Sequence, residues 1–137
     1  MQKAILESFP KADFSVSVVW IEMLPSDNLA AAQKMAATIR DSRVRHFYDP
    51  RATRLAGHSF AKGLLKTGAG PAWDIYLFYD KAAEWSDDPP KPVDWMHQLS
   101  GANRADPNRF HTGEDLVTQL RDAVQRMTQA GGSSEDK

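Results

Sequence analysis

The stretch from Asp13 to Met23 constrains the fold more than any other. Phe14, Val16, Val18 and Trp20 fall on one face of an extended chain, and Ser17, Val19 and Ile21 fall on the other. The second face changes from polar to apolar along its length. A strand that is apolar on both faces belongs in a sheet covered on both sides. Leu24-Pro25-Ser26-Asp27-Asn28 then breaks it. Ser26 or Asp27 can cap a following helix, because a side-chain oxygen there can accept a first-turn N–H. That helix runs to about Ile39, with Leu29, Ala32, Ala36 and Ile39 as its apolar stripe. Val44 to Tyr48 is a second strand, closed by Asp49-Pro50. A strand, helix and strand of these lengths make a parallel, right-handed unit.

The remainder carries four further elements. A helix over about Thr53 to Leu65 has Leu55, Phe60, Leu64 and Leu65 as its buried side, and Gly57 and Gly63 weaken it. Gly68-Ala69-Gly70-Pro71 marks a turn. Trp73 to Tyr79 is a strand rich in aromatic and branched residues, and Val93 to Leu99 is a fourth. An acidic, proline-rich loop over 81–92 joins these two as an antiparallel hairpin, and another loop spans 100–111. The last helix starts near Thr112, where Thr112 and Asp115 have capping-box spacing. Leu116, Leu120, Ala123, Val124 and Met127 form its stripe.

At 137 residues the chain forms one domain. Its expected organisation is a lead-in over 1–12, a folded domain over 13–129 and a polar, disordered tail over 130–137. Lys+Arg is 17 and Asp+Glu is 18, a balance that argues against a strongly electrostatic binder of nucleic acid or anionic membrane. The count of Cys is 0, which excludes disulfides, thiolate metal sites and cysteine nucleophiles. The longest apolar run, Val18 to Ile21, is far short of the ~20 residues that span a bilayer. The expectation is a soluble protein, cytoplasmic or exported with a leader removed.

This order of elements, from about residue 14 to 128, resembles the thioredoxin fold. Val18-Val19-Trp20-Ile21-Glu22-Met23 is similar to the strand that leads into the thioredoxin active site. Leu24 and Asp27 stand where that family has its two cysteines, and Pro71 stands where it has a cis-proline. The resemblance implies an α/β fold with a four-stranded mixed sheet, order 2-1-3-4, and helices on both faces. It also implies that Pro71 lies near Pro25. Thioredoxin chemistry needs a thiolate at the helix N-terminus, and leucine and aspartate cannot replace it.

Candidate chemistry centres on the strand-to-helix turn. Glu22, Leu24, Ser26 and Asp27 gather there, and the resemblance adds Pro71. One reading is a groove for a peptide or small ligand; the other is a self-capped helix. The histidines His46, His58, His97 and His111 lack metal-ligand spacing. In the sheet order that the resemblance implies, His46 and His97 fall on opposite edge strands, too far apart to share an ion. Arg40, Arg43, Arg45, Arg51 and Arg54 form a basic cluster beside Phe47 and Tyr48, read as a solvated surface because Asp41 and Asp49 dilute it. Trp20, Trp73 and Trp95 read as core. Trp85, in the acidic loop, either anchors a partner or folds back on the sheet. The expected function is a non-redox binding or interaction module for a protein, peptide or small molecule, with no metal and no cofactor. The alternative is an enzyme or small-ligand or metal binder using Glu22, Asp27 or a histidine at the turn.

Overall fold

The computed structural model describes residues 1–99 and 104–132. Its strands are β1 (Val16–Ile21), β2 (Val44–Asp49), β3 (Ile75–Phe78) and β4 (Asp94–His97). Its α-helices are α1 (Leu29–Ala36), α2 (Leu55–Ala61) and α3 (Gly113–Gly132). A single helical turn, Gln2–Leu6, opens the chain, and a short tight turn, Pro107–Arg109, precedes α3. The order of long elements agrees with the sequence reading. Residues 130–132 continue α3 instead of starting a tail, and 133–137 lie outside the described residues, as do 100–103 of the expected loop.

The sheet differs from the expectation. β1 and β2 form a parallel pair, with Val16 opposite Val44 and Ile21 opposite Asp49. β3 and β4 form an antiparallel pair, with Ile75 opposite His97 and Phe78 opposite Asp94. These are two separate two-stranded sheets, not one four-stranded sheet in the order 2-1-3-4. The approach to β3 gives the physical reason. The Ala72 N–H donates to the Gly57 carbonyl at 2.8 Å, which ties this segment to α2. Asp74 then takes a left-handed conformation, φ 50°, so the chain turns just before the strand begins. β3 is only four residues long and pairs with β4 alone. No peptide bond among the described residues is cis, so the expected cis-Pro71 is corrected to trans.

The β3–β4 pair is covered on both faces. Trp95 and Leu77 share one face, where Leu64, Leu65, Trp73, Leu99 and Ala105 pack on them. Met96, Tyr76 and Phe78 meet Leu116, Leu120 and Ala123 of α3 on the other. This realises the apolar stripe of the last helix. The lead-in also joins the core: Ile5 and Leu6 are buried, and their turn packs on α3. His97 is 2% exposed, yet both ring nitrogens are used. Nδ1 accepts the Leu99 N–H at 3.1 Å, and Nε2 faces the Asp106 carbonyl at 2.7 Å. Nε2 must therefore carry the proton, because a carbonyl can only accept.

Cover is thin over the parallel pair. No residue of α1 is buried. Ala32, Ala36 and Ile39 are partly covered, while Leu29 and Met35 are about half-exposed. Arg45, His46 and Phe47 of β2 are exposed although they alternate between faces. The buried side expected for α2 is corrected at Leu55, which is 71% exposed; Phe60, Leu64 and Leu65 are partly covered, the last two beyond the helix end at Ala61, and Gly57 is the buried residue of the helix.

Candidate functional site

β1 and β2 end side by side, and the chain leaves each through a proline, Leu24-Pro25 after one and Asp49-Pro50 after the other. Ligand sites of parallel sheets form at this end, where the connecting loops diverge. Glu22 follows β1 directly, and its N–H donates to the Asp49 carbonyl at 3.1 Å. Its Oε1 accepts the Tyr48 hydroxyl, and its Oε2 accepts the Arg51 N–H at 2.8 Å. Its carbonyl accepts from Arg54 Nε at 2.8 Å. The Arg51 guanidinium donates to the Leu24 carbonyl. Each of these polar groups is thus used to fasten one loop to the other.

Asp27 is used in the same way. Its Oδ2 accepts the Leu24 N–H at 2.6 Å and the Met23 N–H at 2.8 Å. Those donors, Leu24 first and Met23 second, hold the carboxyl below the usual carboxylate range, and Arg51 adds to the pull. Asp27 therefore closes the turn behind it and does not cap the helix. The cap is Asn28, whose Oδ1 accepts the Ala31 N–H at 2.9 Å. Ser26 is exposed at the tip of the turn, and its carbonyl accepts from the Asn28 side chain at 3.2 Å. The expected cap at Ser26 or Asp27 is off by one residue, because two free N–H groups at the strand end draw the aspartate backward.

The loop after β2 closes on α2. Asp49 is 4% exposed, and its Oδ2 accepts the Gly57 N–H at 2.8 Å. A Cβ at Gly57 would lie 2.8 Å from the Pro71 Cβ and 3.4 Å from Ile21 Cδ1. Only a glycine lets α2 press against both. Arg54 precedes the helix at φ 41°, a left-handed conformation that is strained for a residue with a Cβ. Its side-chain bond to the Glu22 carbonyl holds it there.

The structure therefore brings Glu22, Leu24, Ser26 and Asp27 together in one turn and places Pro71 against Gly57 of α2. Trp85 is separate in its contacts. It packs on Tyr79, with centroids 4.7 Å apart, and edge-on to Phe60 at 6.3 Å, yet remains 58% exposed. Burial pushes the Tyr79 hydroxyl pKa up, and that oxygen has no hydrogen-bond partner among the described residues. Tyr48, Asp49, Gly57 and the roles of Arg51 and Arg54 escaped the sequence reading. The proline exits of two parallel strands are the signal that pairs them, since such strands end at the same level.

The basic cluster is largely internal wiring. Arg43 donates to the carbonyls of Leu6 at 2.9 Å and Phe9 at 2.6 Å, and its guanidinium lies over the Phe14 ring. It also bonds Asp41 at 2.7 Å, and that bond, with the Arg43 N–H, lowers the Asp41 carboxyl to about 2. His46 Nδ1 accepts the Trp20 indole N–H at 3.1 Å, and His111 pairs with Asp115 at 2.6 Å. Among the described residues no group of three or more His, Asp or Glu side chains could hold a metal ion.

A cavity of about 300 Å³ opens between β4, the Pro107–Arg109 turn and α3. Asp94 sits in it between Arg109 at 3.0 Å and Arg126 at 3.2 Å, so its charges are internally paired. No helix among the described residues is long and apolar enough to cross a membrane. The chain matches no family model, no curated protein and no solved structure.

Proposed function

We propose that the chain is a non-catalytic binding module whose contact surface is the β1–α1–β2 unit. One observation carries this reading. The two acids at the strand-to-helix turn, Glu22 and Asp27, serve as internal braces, Glu22 through both oxygens and Asp27 through Oδ2, while large apolar side chains on the same unit are open to solvent. A carboxyl held below the usual range, as Asp27 is, makes a poor general acid or base near neutral pH. Large apolar groups left in water favour a protein or peptide surface as partner. Leu24, Leu29, Met35 and Phe47, each about half-exposed, are the anchors offered. This reading rests on exposure and hydrogen bonding, and it needs no kinship to thioredoxin.

The test is quantitative capture from a lysate of the source organism, with melting curves confirming that each variant is folded. The wild-type chain and a Glu22→Gln variant should retain the same protein, and a Leu29→Ser/Phe47→Ser variant should lose it. Loss with Glu22→Gln and retention with the double variant would overturn the reading in favour of an acid-dependent site.

A further inference from the structure

We propose that the partner of this surface is a second copy of the chain, added to the free edge of β2 as an antiparallel strand about a two-fold axis. The proposal rests on the binding-module reading and names its partner. Among the described residues β2 pairs with β1 only. The Val16 N–H donates to the Arg43 carbonyl and the Glu22 N–H to the Asp49 carbonyl. Bonding direction alternates along a strand, so Arg43, Arg45, Phe47 and Asp49 turn their backbone toward β1. Val44, His46 and Tyr48 turn theirs outward. The Val44 N–H is taken by the Asp41 carbonyl at 3.1 Å. The outward edge therefore offers the Val44 carbonyl and both backbone groups of His46 and of Tyr48.

Among the described residues this edge carries one exposed charge, Arg45. Val44–Asp49 contains no proline and no lysine, the residues with which proteins commonly protect edge strands. Arg45, His46 and Phe47 are exposed in succession, whereas Val18 to Ile21 of β1 are partly covered. The sequence of the edge is also self-complementary. With the axis at His46, the two His46 residues exchange both backbone bonds, and each Tyr48 N–H reaches the Val44 carbonyl of the partner subunit. Arg45 then stands opposite the partner's Phe47, a cation against an aromatic face, and the pair occurs twice. An axis at Phe47 is poorer. It would set Arg45 opposite the partner's Asp49, which is buried and already bonded to the Gly57 N–H.

The total exposed area is larger than that of a compact monomer of this mass. The chain of 15.3 kDa exposes 9481 Å², against roughly 7,100 Å² for a compact monomer of that mass. The surplus exceeds the roughly 800 Å² per partner that a standard interface covers.

Sedimentation velocity of the full chain, from low micromolar to several hundred micromolar, tests the proposal. The wild-type chain should sediment at twice the chain mass at the upper end. Phe47→Lys, a charge placed on an exposed edge residue, should give the monomer mass with unchanged circular dichroism. His46→Pro removes an outward N–H, spares the backbone bonds to β1 at the loss of the Trp20 indole bond, and should do the same. A dimer that survives both substitutions overturns the strand-to-strand pairing. A wild-type chain that stays monomeric throughout, yet retains a foreign protein through Leu29 and Phe47, overturns self-pairing and leaves the binding-module reading standing.

Discussion

The β1–β2 pair and the β3–β4 pair are both two-stranded ladders, and they differ in what covers them. β3–β4 has α3 on one face and the Leu64, Leu65 and Trp73 layer on the other. β1–β2 has a helix with no buried residue beside it and an edge exposed on both faces. An isolated two-stranded ladder is marginal in water, so cover decides which pair holds the fold together. The antiparallel half supplies the core. The parallel half has the longer strands but leaves large apolar groups open to solvent.

The largest effect should come from removing packing in the covered half. Leu116→Ala, at a side chain 6% exposed, should cost about 2–5 kcal/mol in urea denaturation. Leu29→Ala, at one 49% exposed, should change stability by at most about 0.5 kcal/mol. Equal costs would mean that α1 is better covered than described and would remove the contrast. Next comes the joint between the halves. Gly57→Ala would set a Cβ 2.8 Å from the Pro71 ring and should cost about 1–3 kcal/mol by the same measurement. A neutral result would show that α2 and the 71–72 segment do not press together.

The smallest effect concerns acid. Both acids held below the usual range, Asp27 and Asp41, lie in the parallel half. A carboxyl lowered on folding adds stability above its unfolded value and loses it as the pH falls through the folded value. For Asp41 the window runs from 3.8 down to about 2. Amide signals of β1, α1 and β2 should therefore shift or broaden between pH 5 and pH 2 before those of β3, β4 and α3. Simultaneous loss of both sets would mean that the halves unfold as one unit.

Much of the fold was legible in the sequence for local reasons. Branched residues alternate over Val16–Ile21, and the apolar stripe of α3 repeats every three to four residues, so the elements were found without their neighbours. The parallel and antiparallel pairings also followed, because chain order and connection length limit them. Part of the candidate site was legible too. Glu22, Leu24, Ser26 and Asp27 are adjacent in sequence and had to stay adjacent in space. Tyr48 and Arg51 meet Glu22 only because β1 and β2 end at one level, which is a consequence of register.

The sequence by itself determined the elements, the absence of thiol chemistry and the turn at Leu24 to Asp27. It did so because hydrogen bonding along the chain, side-chain periodicity and residue chemistry act over a few residues. Only the tertiary structure decided that β1 and β3 belong to different sheets and that α1 buries none of its residues. Those outcomes depend on contacts far apart in the chain. Ala72 on Gly57 stops β3 short, and α3 covers one strand pair while leaving the other open.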